Sequence, residues 1–569
     1  MLSLSRNHYL SFLTLPNRFP FLQQSDISPC LTMALNVPGL VAVIFFYAMT
    51  LLTGLWAAWK AKKSEKNKKQ TEVAIVGGRN LNVFVGLFTT TATWVGGAYI
   101  NGTAEIVYLP SRGLAWVHAP LGFAATFIIG ALFFVKPMRS KNYVTMMDPL
   151  QETFGNTMGS ILFLPPLLGD VFWFASILAS LGATVSVILD VKGSVSIIIS
   201  ACTVIIYTLL GGLYSVAYTD VIQLLFMIIS LWICVPFALL NSASENIAYT
   251  AVNALYQAPW IGKIQPGYIG RWLDDFAYLS LGGIAWQTYF QRVLAASSSK
   301  KAMVTSYLSG LLCAVMGVPS ILIGAIAVST DWNQTSYGLP TPYERRESNM
   351  ILPLVLQYLC PTYVSVAGLG AIAAAVMSSA DSSLLSASSM FSYNIYKRLL
   401  RKKASEREVL WVMRLSMVLL GSAGTGLAFL SNSVYDMWFL SGELVYAILF
   451  PQLCCALFIP GTNTYGSAAG FILGFVLRLL GGESALKIPP VLHYPGCILV
   501  DGVFIQQFPF KTFTMTVSLI TIVVVSYLAE FLFMKKILPP QLDVCNVFRK
   551  ETSRLSQQEL EEQASLQKT

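Results

Sequence analysis

The sequence predicts an all-α, polytopic membrane protein of about 13 transmembrane helices, built on an inverted repeat of five plus five. Three observations carry this reading. The 569-residue chain is 55% hydrophobic and only 11% charged, with mean hydropathy +0.62, where a soluble protein carries about 25% charge. Apolar stretches of roughly 20 residues follow one another from residue 38 to residue 534. Two of them are interrupted at mid-length by paired glycines beside a tryptophan: T-A-T-W-V-G-G from Thr91 to Gly97, and G-G-I-A-W from Gly282 to Trp286. Glycine pairs weaken a helix and bare its carbonyls, and irregular backbone at membrane depth survives only where it lines a cavity.

Residues 1–37 read as an extracellular head without regular structure. Their apolar patch, Leu10 to Leu15, is too short to span and is broken by Pro16. The transmembrane domain runs from 38 to 534, with spans near 38–59, 80–107, 112–135, 157–187, 193–215, 219–241, 273–295, 303–330, 362–392, 408–430, 434–459, 466–480 and 512–534. Basic residues cluster after the first span (Lys60, Lys62, Lys63), the third (Lys136, Arg139, Lys141) and the ninth (Lys397, Arg398, Arg401). Positive loops stay in the cytoplasm, so the N-terminus is expected outside and the tail, 535–569, inside. Asn333-Gln334-Thr335, a glycosylation sequon after the eighth span, then faces outward. Asn101-Gly102-Thr103 matches the same pattern but lies within a span. The interrupted spans are the second and the seventh, so they cross in opposite directions. Corresponding breaks in two halves mark a transporter's binding site, and they set the repeats at about 80–241 and 273–459. The first, twelfth and thirteenth spans are additions to that core.

The formal charge of +9 sits in loops between apolar spans, which argues for topology and the lipid bilayer and against nucleic acid. The nine cysteines show no metal-ligand spacing, and only three histidines are present. No nucleophile–base pair emerges, so the chain does not read as an enzyme.

Two groups of residues point to binding. Trp94 and Trp286 flank the two breaks, while Trp173 and Phe123 sit mid-span in the fourth and third segments. Aromatics are common in membrane spans, and Trp173 and Phe123 taken singly read as packing. Trp94 and Trp286, tied to the breaks, suggest a cation held by ring faces at about 0.5 to 2 kcal/mol each. A quaternary ammonium has no N–H to donate, so faces must hold it. The second group is A-V-M-S-S-A-D-S-S from Ala375. Ser378, Ser379, Ser382 and Ser383 provide hydroxyls at helical spacing around Asp381. Small-residue helix packing would explain the serines alone, but an intramembrane acid favours an ion site. Asp220, Asp170, Glu105 and Glu443 are further acids. For Glu105 and Glu443 a helix-end or paired carboxylate is an equally good account.

These runs resemble the sodium/solute symporter family, and within it the choline-transporting branch. The resemblance rests on T-A-T-W-V-G-G-A-Y-I-N-G-T-A-E from Thr91, K-P-M-R-S-K-N-Y-V-T-M from Lys136, G-G-L-Y-S-V-A-Y-T-D-V-I-Q from Gly211, Q-R-V-L from Gln291, S-T-D-W-N-Q-T from Ser329, the serine run from Ala375 and G-T-N-T-Y-G from Gly461. It implies a LeuT-like core and sodium-coupled, chloride-dependent choline import supplying acetylcholine synthesis. It implies no cofactor beyond the co-transported ions. It places the protein in the plasma membrane, at presynaptic membranes and synaptic vesicles, and leaves homo-oligomerisation open. A choline pocket falls on Trp94, Trp173 and Trp286, with Phe123 where that branch usually has a tyrosine. The main sodium site falls on carbonyls of Thr91, Trp94 and Ala375 and hydroxyls of Ser378 and Ser379. Relatives with a second sodium hold it at positions matching Asp220, Asp381 and Ser382. Two other readings stay open: a sodium symporter for another organic amine or solute, and a choline-binding sensor or channel without coupled flux.

Overall fold

A computed structural model describes residues 37–548 apart from short stretches at 65–68, 190–191, 211, 430–433, 484–485, 487 and 501. The expected head, with Cys30, and the tail beyond 548 lie outside the described residues.

Helix is the response to a chain that must satisfy its backbone inside lipid. Each of the expected spans contains one. In order these are α1 (Val37–Ser64), α2 (Val83–Trp94), α3 (Gly97–Tyr108), α4 (Ala119–Ile129), α5 (Leu164–Leu189), α6 (Gly193–Leu210), α7 (Leu213–Leu239), α8 (Ile269–Leu281), α9 (Gln287–Ala295), α10 (Ser299–Val328), α11 (Thr362–Met390), α12 (Glu406–Ala428), α13 (Val434–Leu444), α14 (Phe450–Phe458), α15 (Thr464–Leu480) and α16 (Phe510–Met534). Side-chain caps start several of them. Asn82 accepts from the Val85 N–H at the head of α2, and Ser405 with Glu408 forms a capping box on α12.

Among the described residues nine helices are long and apolar enough to cross a membrane, and the bent pair α2–α3 makes ten. The fifth and twelfth expected spans, α6 and α15, yield only shorter apolar segments. The seventh fails for a different reason. Its second half, α9, carries Gln287, Gln291 and Arg292, all buried against other helices rather than facing lipid.

Burial separates inner from outer helices. The most apolar stretch is 81% buried in the α11 span and 83% in the α13–α14 span, against 28% in α1 and 22% in α16. α11 packs against both α5 and α7, and α13 also packs on α5. α16 pairs with α15 at the edge. Between α15 and α16 a short hairpin pairs β1 (Ile498–Val500) with β2 (Val503–Ile505).

Both expected breaks are present. α2 stops at Trp94 and α3 restarts at Gly97 with a 51° bend. Here glycine is required by close approach rather than by a left-handed conformation. A Cβ on Gly96 would run into the Ser379 side chain of α11, and one on Gly97 would meet Ser180 and Val376. In the second break α8 ends in a single 3₁₀ turn, Gly282–Ala285, and Trp286 is extended (φ −114°, ψ 133°) before α9 begins. A Cβ on Gly283 would strike the Trp94 indole. The two breaks therefore touch.

Candidate binding cage and ion site

Trp94 ends α2, so its indole projects from a helix terminus into the space the bend opens. Trp286 sits in extended backbone at the other break. The structure brings both together with Trp173 of α5 and Phe123 of α4. Trp94 lies 4.6 Å from Phe123 and 6.4 Å from Trp286, centroid to centroid, and Trp286 lies 5.3 Å from Trp173. All of these contacts are edge-to-face, the favoured way for rings to meet. Trp438 of α13, 5.6 Å from Phe123, and Tyr278 of α8 complete the wall with Leu279 and Gly283. The rings leave a small, partly open gap between them, and none of the residues that line it carries a charge. The Trp94 indole N–H is buried without a protein hydrogen-bond partner. Such a wall offers ring faces and edges. It can stabilise a cation that needs no hydrogen bond.

Trp286 is fixed from behind. Its indole N–H donates to Asp170 Oδ1 at 2.7 Å. The other oxygen of that carboxyl accepts the Ser386 hydroxyl at 2.9 Å, and the Asp170 carbonyl accepts the Ser383 hydroxyl at 2.9 Å.

The serine run occupies the face of α11 turned toward α2 and α7. Ser379 donates to the carbonyl of Thr93 at 2.8 Å and also reaches that of Ala92 at 3.4 Å. Ser378 instead donates to Asp220 Oδ1 at 2.6 Å, and Thr89 donates to Oδ2 at 2.5 Å. The Thr91 carbonyl accepts the Val95 N–H at 2.8 Å, while the Thr91 hydroxyl is buried without a protein partner. Ala375 belongs to the same helix, but its side chain lies outside the described residues. Ser382 reaches Asp381 Oδ1 at 3.3 Å and Thr93 Oγ1 at 3.2 Å. The bend thus sets carbonyls, hydroxyls and two carboxylates, Asp220 and Asp381, within one buried cluster. Hard alkali cations take oxygen donors of these kinds.

Sequence reasoning passed over Thr89, Thr93 and one charged residue in this cluster. Arg292 of α9 is buried, with its Nη2 2.5 Å from Ser382 Oγ and 3.6 Å from Asp220 Oδ2. An arginine within an expected membrane span was the available signal. Trp438, Tyr278 and the role of Asp170 were also missed. Glu443 is paired, as its simpler account held: Arg478 and Lys511 both meet it. Asn333 is exposed in a loop, whereas Asn101 is buried and donates to Ser180 at 2.6 Å.

Comparison with known proteins gives the family and the fold. Residues 75–474 match the profile of the sodium:solute symporter family. The human protein named high affinity choline transporter 1 is 55% identical over 513 residues, covering 90% of this chain and 88% of that protein. The Drosophila melanogaster protein of the same name is 48% identical over 510 residues, covering 90% and 81%. A solved Na+-coupled sialic acid symporter in a substrate-bound outward-open state superimposes with a TM-score of 0.69 at 18% identity, covering 86% of this chain and 97% of that one. At that identity the likeness speaks for the fold, and the LeuT-like architecture expected from the sequence is the one found.

Proposed function

Because the chain belongs to the sodium:solute symporter family, we propose that it imports choline across the plasma membrane by alternating access, driven by sodium. The observation that carries the substrate is the uncharged aromatic wall formed by Trp94, Phe123, Trp173, Tyr278, Trp286 and Trp438. A permanent cation gains from several faces there at about 0.5 to 2 kcal/mol each, and no buried counter-ion is needed. The names of the relatives support the same substrate. Sodium is taken by the oxygen cluster between α2 and α11, from Thr91, Trp94, Ala375, Ser378 and Ser379; a second position at Asp220, Asp381 and Ser382 would require the Arg292 guanidinium, which meets Asp220 and Ser382, to move aside.

The N-terminus lies outside and the C-terminus inside, which sets the basic loops at Lys60 and Lys397 in the cytoplasm and Asn333 in an extracellular loop that carries a glycan. Chloride dependence, and use of the imported choline for acetylcholine synthesis at presynaptic membranes, extend the same reading.

Uptake of labelled choline by cells expressing the chain, with sodium and with sodium replaced, tests it. Saturable accumulation against a gradient that requires sodium is expected. Uptake of a different amine with none of choline would overturn the substrate. Flux that only equilibrates choline would overturn the coupling.

A further inference from the structure

We propose that Asp170 is a positioning residue that ties the aromatic cage to the ion-binding helix, so that sodium on α11 sets the pose of the Trp286 ring. The inference rests on the functional reading above. Its own support is a single buried carboxyl, 1% exposed, whose oxygens serve two different elements. Oδ1 accepts the Trp286 indole N–H at 2.7 Å, and Oδ2 accepts the Ser386 hydroxyl of α11 at 2.9 Å. A second strut runs alongside, from the Ser383 hydroxyl to the Asp170 carbonyl at 2.9 Å.

The spacing makes the link direct. Ser383 and Ser386 lie one helical turn beyond Ser379 and Ser382, so a shift of α11 that follows ion binding is carried to Asp170 without an intermediary. Asp170 in turn stands one turn before Trp173, whose ring is 5.3 Å from Trp286. α5 therefore presents Trp286 with both a ring neighbour and an acceptor. Trp286 is in extended backbone between two helices, so its ring is not held by a helical turn of its own. The hydrogen bond to Asp170 supplies the missing restraint, and leaving either donor of this relay unpaired in the bundle is costly.

The test is the dependence of the choline KM on sodium, measured by uptake in cells expressing the wild-type chain, Ser386→Ala, Asp170→Ala and Asp170→Asn. Coupling between two sites is ordinarily about 5- to 150-fold, and raising sodium should lower the wild-type KM by a factor in that range. Ser386→Ala and Asp170→Ala are expected to shrink the factor by about fivefold or more, toward one. Asp170→Asn should keep most of it, because a carboxamide oxygen still accepts the indole N–H and its NH₂ can donate to Ser386. A merely structural role would lower surface protein and maximal rate together and leave this ratio alone. An unchanged ratio in Ser386→Ala and Asp170→Ala would overturn the proposal. If Asp170→Ala does not reach the surface, the ratio in Ser386→Ala decides it. Wild-type choline uptake indifferent to sodium would instead overturn the functional reading and this inference with it.

Discussion

Trp286 belongs to the aromatic wall proposed to hold the guest, meets Trp94 and Trp173 edge-to-face, and anchors its buried N–H on Asp170. These roles separate on substitution. Trp286→Ala removes all three, and the choline KM should rise by about thirtyfold, the equivalent of one desolvated cation–π contact near 2 kcal/mol. Trp286→Phe keeps a face and loses the N–H, so a smaller rise is expected in the same uptake assay. Equal losses in the two variants would argue against a role for the ring face. The sequence made Trp94 and Trp286 legible because each adjoins a glycine pair. Trp173 and Phe123, read singly, looked like packing and were singled out through family resemblance, yet they line the same space. Trp438 and Tyr278 could not be found at all. Their segments show a helix, but helical periodicity says nothing about which face meets a ring more than a hundred residues away.

At the scale of elements, α11 contributes most. It lies between α5 and α7, and its hydroxyls reach both and the bend after α2. Asp381→Asn removes a carboxylate charge from this cluster, and the sodium concentration for half-maximal uptake should rise several-fold or uptake should cease. Unchanged sodium dependence would take Asp381 out of the ion site. The Asp220–Arg292 pair bridges α7 and α9 with both side chains at most 1% exposed. Breaking one partner of such a pair costs about 3–5 kcal/mol, because the other charge is left buried alone. Arg292→Gln and Asp220→Asn should each deplete folded protein at the surface, measured by biotinylation and by thermal unfolding in detergent. The double variant should recover part of the Arg292→Gln loss. The breaks between α2 and α3 and between α8 and α9 were legible from Gly-Gly beside Trp. What was not legible was their cause: at Gly96, Gly97 and Gly283 the constraint is a neighbour pressed against the backbone, and a sequence without partners in view does not reveal neighbours.

Across the whole molecule, the basic loops and the apolar spans define one transport axis. Choline and sodium are both cations, and each gains about 2.3 kcal/mol per 100 mV on moving inward, so membrane voltage drives both. Hyperpolarisation should therefore speed uptake, and depolarising with external potassium at constant sodium should slow it. Topology has its own check. Asn333→Gln should abolish a glycan-dependent shift in electrophoretic mobility, while Asn101→Gln should leave mobility unchanged, because Asn101 is buried in α3. The apolar helices were legible in the sequence, whereas the helices at Gln70–Val76, Asp148–Ile161 and Ile351–Leu359 lie largely outside the expected spans. The number of apolar crossings was less so, since α9 is lined by Gln287, Gln291 and Arg292 and is hidden from lipid by its neighbours.

The contact between the Trp94 indole and the backbone of Gly283 has a consequence for uptake. With no side chain between them, the two breaks pack directly on one another. A methyl group at 283 would strike that ring, so Gly283→Ala is expected to prise the two breaks apart and to slow choline uptake at unchanged surface level.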